Sequence, residues 1–212
     1  MKFPEGVNLG NNVRLGSGVI LGAGDRSLGD LTIGDNSIIR SGAVIYYGNT
    51  IGNNFETHHN TVIRPGNNIG KYVVIGSNTE IAPGNNIGDF SRIHSLCFLE
   101  KTTLGNYVFV APGVKFLDDF LPVDPDPTHY RGAIVGDDVS IGGGSTILPG
   151  VEIGNTVLIG AGSVLTKSVP TGEVWHGNPA EFRRKIEGLV YPNTSTQYLP
   201  GTRVRWEKRG VK

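Results

Sequence analysis

Ile69-Gly70-Lys71-Tyr72-Val73-Val74-Ile75-Gly76-Ser77-Asn78-Thr79-Glu80-Ile81 decides the fold, because its isoleucines fall six residues apart. Outward from it, Ile33, Ile39, Ile45, Ile51, Ile63, Ile87, Ile93 and Leu99 keep the same frame, and Thr57 fills the one slot where an aliphatic is expected. A helix repeats near 3.6 residues and a half-buried strand at 2, so a pure period of six marks a repeat architecture. Gly follows many of the aliphatics, as in Ile33-Gly34, Ile51-Gly52 and Ile87-Gly88. Four residues after the aliphatics come mostly small or β-branched side chains: Ser37, Ala43, Thr61, Val73, Thr79, Ser91 and Cys97. Two inward columns of this kind describe a solenoid. The pairs Asn53-Asn54, Asn67-Asn68 and Asn85-Asn86 are expected to take the positive φ that its corners demand.

Composition narrows the function. Lys plus Arg and Asp plus Glu both number 19 in 212 residues, so no broad field invites nucleic acid or an anionic membrane. No apolar run reaches the length of about 18 residues that crosses a bilayer, and Met1-Lys2-Phe3-Pro4-Glu5 lacks a signal-peptide core, so a cytoplasmic protein is expected. The single Cys excludes an internal disulfide, and Cys97, in the small inward column, is expected to pack rather than react.

In chain order, Leu9, Leu15 and Leu21 begin the repeat, and a twelve-residue spacing to Ile33 implies an atypical corner or a short loop. Leu99 to Leu104 is one residue short, and Val110 and Phe116 follow. Residues 117–133 are too rich in Pro for a helix and break the frame, so they are expected to leave the solenoid as a loop, which at that length is usually functional. The frame returns at Val135, Ile141, Ile147, Ile153, Ile159 and Leu165, for about eight coils in all. Glu181–Glu187 (EFRRKIE) has helix formers and an apolar pair, Phe182 with Ile186, so a short helix over the last coil is expected. The chain thus divides into a solenoid over 1–170, a C-terminal turn and helix over 171–187, and an extended basic tail over 188–212.

The last third is specific. Ser140-Ile141-Gly142-Gly143-Gly144-Ser145-Thr146-Ile147-Leu148-Pro149-Gly150-Val151, then Ile159-Gly160-Ala161-Gly162-Ser163-Val164-Leu165-Thr166-Lys167, then Gly177-Asn178-Pro179-Ala180 resemble the segments of acyl-CoA-dependent hexapeptide-repeat acyltransferases. The resemblance covers roughly residues 9–187 and implies an all-β fold, the left-handed parallel β-helix, with three hexapeptides per coil. It also implies a homotrimer with sites between subunits and acetyl-CoA as co-substrate. Gly142, Gly143, Gly160 and Ala161 suit cofactor contact, because small residues leave backbone groups open to the amides of a pantetheine arm. Lys167, Arg183 and Arg184 are candidate partners for its phosphates.

Three histidines share one region. His58 and His94 lie 36 residues apart, two full coils, so they occupy one column with Gly76 between them. His59 stacks over Ser77 and Ser95. Gly76 is expected to leave a side-chain gap that forms an acceptor pocket, with Ser95 and Asn78 at its margin. Phe55-x-Thr57-x-His59 and Arg92-Ile93-His94-Ser95 resemble a sugar-modifying branch of the family, which usually has Gly where this chain has His58. That branch implies an imidazole as general base, and Asp118 and Asp119 match its Asn-Asp position, where they would hold a hydroxyl or ammonium of the sugar. The expected reaction is acetyl transfer to an amino group of a small-molecule sugar, with nucleotide-linked sugars the leading class. The alternatives are transfer to a sugar hydroxyl and a non-catalytic scaffold. Some hexapeptide proteins resemble carbonic anhydrases with three His on zinc between subunits, but here no carboxylate or Cys sits at ligand spacing, and no metal is expected.

Overall fold

The computed structural model describes residues 3–122, 125–190 and 195–211. Each hexapeptide forms a strand of two or three residues and then a corner. Asn68–Ile69, Val74–Ile75 and Glu80–Ile81 are successive strands on three different faces. Each pairs in parallel with its equivalents one coil away, so Ile75 stands between Thr57 and Ile93, and Ile81 between Ile63 and Leu99. Repetition builds three sheets of eight, ten and eight strands, parallel except for the last strand of the second, closed into a left-handed β-helix. The first face runs from Val7–Leu9 to Glu152–Ile153, the second from Arg14–Leu15 to Leu158–Ile159 and onward, and the third from Ile20–Ala23 to Val164–Leu165.

The aliphatic at each repeat points inward, and Ile33 through Ile159 form one continuous buried stack. Strands spaced about 4.8 Å apart put like side chains in contact. The irregular spacings are absorbed at corners. Leu104 still pairs beside Ile87, and the twelve-residue gap holds a short turn, Arg26–Leu28, capped by Asp25 accepting from the Ser27 N–H at 2.8 Å.

The asparagines divide differently from the expectation. Among the three pairs only Asn54 has a positive φ, 57°. Asn49, Asn67 and Asn85 are buried in a ladder down the inside of the prism. Each side-chain amide donates to the carbonyl three residues earlier, at Tyr46, Arg64 and Ala82. Each side-chain carbonyl accepts from the next coil's backbone, at Asn67, Asn85 and Thr102. The positive φ that these corners need is supplied by Gly66 and Gly84.

Residues 181–187 are not a helix. Glu173–Gly177 adds to the second face beside Leu158–Ile159, and Ala180–Lys185 returns antiparallel to it. A helix here would leave the outer edge of the last strand without partners, whereas the hairpin satisfies it. The α-helix among the described residues lies further on, at Arg203–Glu207.

Nor does the C-terminal stretch extend into solvent. Tyr72, Phe90 and Tyr107 stand one above another at a corner with φ of 57°, 60° and 59°, rings stacked 5.1 and 4.9 Å apart. Trp206 is buried edge-on against them, and its indole N–H donates to the Phe90 carbonyl at 2.9 Å. Thr202 donates to the same carbonyl, and Arg203 grips Asp138 through two bonds of 2.8 and 2.6 Å.

Two stability outcomes follow from these ladders. Asn85→Ala removes one rung and leaves the Thr102 N–H buried without an acceptor, so chemical denaturation should register a loss of about 1–3 kcal/mol. Trp206→Ala should release 199–211 locally, seen as faster tryptic cleavage at Arg203 and Arg205, while the prism keeps its cooperative melt.

Candidate functional site

The three edges of the prism differ in what they do with the second backbone N–H of each corner. On the edge between the first and second faces an Asp or Asn of the next coil caps it. Asn11 donates to Asp35, Asp35 to Asn53, Lys71 to Asp89, Asp89 to Asn106, Asn106 to Asp137 and Asp137 to Asn155, all within 2.6–2.9 Å. On the edge between the third and first faces Pro65, Pro83 and Pro149 have no N–H to cap. On the edge between the second and third faces the corresponding residues are Ser41, His59, Ser77, Ser95, Gly143 and Ala161. Their N–H groups donate to no protein acceptor among the described residues. Backbone donors facing out without partners form a site for an external acceptor.

His58, His59, His94, Ser95, Asn78, Gly142, Gly143, Gly160 and Ala161 all lie on this edge, because each follows a second-face strand. The corner carbonyls are tied inward by the small column. Thr61 donates to the carbonyls of His58 and Gly76, Thr79 to that of His94, Ser145 to that of Gly142, and Ser163 to that of Gly160. Cys97 takes the same place, its buried thiol 3.2 Å from the Ala111 carbonyl and pushed up to about 11 by burial.

His58 and His94 are half-buried, and burial, before any other cause, pulls both imidazoles below their ordinary range. Arg92 adds to this at both, and each of the pair lies in the field of a further cation, Arg40 for His58 and Arg205 for His94. Arg92 and His94 alternate along the strand and therefore share its outer side. Arg92 Nε donates to His94 Nε2 at 3.3 Å, and Phe109 packs edge-on to the ring at 5.3 Å. His94 Nε2 is thereby engaged as an acceptor, leaving Nδ1 to carry the proton. Both groups are neutral at pH 7. His59 is exposed and lines a separate cleft with Arg14, Gly16, Arg40 and Ser41.

Gly76 does not open a gap. A side chain there would meet the backbone of His94 and Ser95, so the missing Cβ points into the next coil and not into a pocket. Gly142 and Gly160 have the same origin, against Ala161 and His176. Asn78 has φ 53° and serves the corner geometry.

Asp118 and Asp119 follow the third-face strand Lys115–Phe116 and so lie on another edge of the chain from the imidazoles. Asp118 is buried, and its carboxyl meets that of Glu100; burial first, then this neighbour, raises the Glu100 carboxyl. Lys167 also lies beyond the third face, exposed, and Arg184 is exposed on the outer strand of the hairpin beside Arg183. A single chain brings none of these to His58, His59 or His94, and Arg183 instead donates to the His176 carbonyl. Arg92 and Arg205 were missed by reading the sequence, although the Arg92-Ile93-His94 alternation signals the first.

Among the described residues no three His, Cys, Asp or Glu are grouped to hold a metal ion, and no helix is long and apolar enough to cross a membrane. Family models match twice: the bacterial transferase hexapeptide (six repeats) at residues 132–167 and the hexapeptide repeat of succinyl-transferase at residues 4–23. Both matched segments are thus hexapeptide repeats, one at the start of the prism and one near its end. This hexapeptide-repeat chain is 37% identical over 112 residues to the putative acetyltransferase YJL218W of Saccharomyces cerevisiae, a match covering 50% of this chain and 56% of that protein. It is 38% identical over 71 residues to the mitochondrial gamma carbonic anhydrase 2 of Arabidopsis thaliana, covering 32% and 26%. The matches thus span about half or less of these relatives' lengths. In fold it is similar to the UDP-N-acetylglucosamine acyltransferase from Campylobacter jejuni, with a TM-score of 0.68 over 99% of this chain and 77% of that one, at 21% identity.

An imidazole whose folded pKa is depressed binds its proton more readily in the unfolded chain. His58 and His94 therefore support folding fully above the unfolded value of about 6.5, and that contribution is lost as pH falls through their lower folded values. Titration by NMR should place both midpoints below that of a free histidine, and Arg92→Gln should raise that of His94 toward it.

Proposed function

We propose that this protein transfers an acetyl group from acetyl-CoA to an amino group of a small-molecule sugar, with nucleotide-linked sugars the leading class. One observation carries the reading: the edge where, among the described residues, corner N–H groups stay unpartnered coil after coil also holds the imidazoles of His58 and His94 and the small-residue corners. At one end of it, Gly143 and Ala161 offer open N–H groups at the right scale for the amides of a pantetheine arm, with Gly142 and Gly160 keeping the coils close. The match to a putative acetyltransferase is consistent with this assignment. The sugar as acceptor rests on the Phe55-x-Thr57-x-His59 and Arg92-Ile93-His94-Ser95 strings.

In this reaction the acceptor nitrogen or oxygen attacks the thioester carbonyl, the C–S bond breaks, and the thiolate leaves with a proton. A neutral imidazole takes the acceptor's proton. Among the described residues no hydrogen bond occupies the ring of His58 or His59, so either can take it, whereas His94, with Nε2 engaged by Arg92, presents an N–H and orients the acceptor. An open corner N–H receives the developing oxyanion.

The acidic loop and the basic end are part of the proposal through assembly. In a homotrimer the third-to-first edge of a neighbour would bring Asp118 and Asp119 toward the imidazoles, with Lys167 and Arg184 at the cofactor's phosphates. Sedimentation of a stable monomer at micromolar concentration overturns that arrangement.

A metal-dependent reading is favoured by one finding, the match to a gamma carbonic anhydrase, together with three imidazoles on one edge. Metal content of the purified protein and hydration of CO₂ separate it from acetyl transfer.

The expected kinetics are specific. Loss of the general base, by His59→Ala or His58→Ala, should lower kcat by about 10²–10⁴ with coenzyme A affinity kept. His94→Ala should act mainly on acceptor KM. Thiol release from acetyl-CoA with a panel of amino sugars is the assay, and full activity in all three variants would move the site off this edge. A shift in melting temperature with coenzyme A separates an enzyme from a bare scaffold.

A further inference from the structure

The second face carries a cation with no anion of its own. Arg92 is half-buried, and the only hydrogen bond its guanidinium makes among the described residues is the one to His94. The one carboxylate whose field reaches it belongs to Glu56, which is held by Arg40 at 2.7 Å. The docked C-terminal segment adds two more guanidiniums. Arg205 and Arg209 both act on Arg92, and Arg205 acts on His94 as well. Neither of the two makes an ion pair among the described residues, and Arg209 lies 5.4 Å from the Trp206 ring.

Three like charges around a desolvated position repel one another. The Trp206 and Thr202 bonds to Phe90 hold the C-terminal segment there, and among the described residues no carboxylate forms an ion pair with any of the three. What completes such a cluster is an oxyanion, because guanidinium forks match phosphate and carboxylate geometry. We propose that Arg92, Arg205 and Arg209 form a subsite beside His94 for a phosphate or carboxylate carried by the acceptor. Its assignment to the acceptor rests on the transfer reaction proposed above; the anion site itself stands without it.

The test is calorimetric titration of the full-length protein with inorganic pyrophosphate, with and without saturating coenzyme A. Binding should persist with coenzyme A present. It should weaken at least tenfold in Arg92→Gln, several-fold in Arg205→Gln and Arg209→Gln, and stay unchanged in Lys115→Gln on the third face. The two exposed arginines keep the test decisive should Arg92→Gln unfold. Glucuronate titrated in parallel assigns the group: tighter pyrophosphate means phosphate, tighter glucuronate means carboxylate, and either upholds the site. In acetyl-transfer assays Arg205→Gln should raise KM for anionic sugars about tenfold at constant kcat and leave neutral sugars alone.

Absence of binding to the wild-type protein overturns the proposal. Competition between pyrophosphate and coenzyme A also overturns it, since the cluster then belongs to the donor's phosphates. So does dissociation of the assembly by Arg92→Gln with pyrophosphate affinity intact, which would mean that this guanidinium faces a partner subunit. Arginine-dependent binding without transfer to any acceptor upholds the site and removes the transfer reading.

Discussion

Coil stacking governs this molecule. Every coil must present its backbone donors and acceptors to the next at the spacing of a parallel ladder, about 4.8 Å, including at corners where the chain turns. The sheets satisfy themselves, since each strand donates upward and accepts from below. Corners have no such symmetry, and the side chains that complete them account for most of the sequence pattern. Buried Asn49, Asn67 and Asn85 serve one edge from inside; Thr61, Thr79, Ser145 and Ser163 serve another. Asp and Asn cap the third from outside. The glycines there follow from that capping, because a Cβ at Gly34, Gly70 or Gly136 would strike the capping oxygen of Asn53, Asp89 or Asn155.

Function enters where this completion is withheld. An edge whose corner amides stay open among the described residues leaves those donors to solvent or to a bound acceptor. The same edge collects imidazoles and small residues. Its inner hydroxyl column then has two effects, since it holds the corner carbonyls in place and so fixes the direction of the open N–H groups beside them.

The solenoid was legible because its signal is repetitive: a six-residue period needs no tertiary information, and the column shared by His58 and His94 follows from arithmetic on coil length. Two kinds of feature were not legible. Residues 181–187 carry a helical pattern, but the unpaired edge of the last strand overrode local propensity and took 181–185 as a strand. The basic C-terminal stretch reads as solvated because its buried anchors, Thr202 and Trp206, find Phe90 across 112 and 116 positions. The stacked aromatics it covers also hid in plain view: Tyr72, Phe90 and Tyr107 occupy a positive-φ position where Asn36 and Asn54 stand in earlier coils. The directions of Cβ vectors, which close the supposed gap at Gly76, depend on the approach of the next coil and cannot be read from spacing.

The cations on the second face bear on the choice between amine and hydroxyl acceptors. Desolvation and the field of Arg92 keep His58 and His94 neutral, and neither influence is particular to imidazole. An ammonium brought to the same edge meets the same two influences, which push its proton off and expose the nucleophilic lone pair near neutral pH. A hydroxyl gains less, since its proton leaves a negative oxygen that the low-dielectric site disfavours until attack has begun. Under the proposed reading the electrostatics of this edge therefore suit an amino sugar. An anion held by Arg92, Arg205 and Arg209 would partly cancel that field when the acceptor binds, so the depression of the imidazoles should relax in the complex and bring the base closer to working pH.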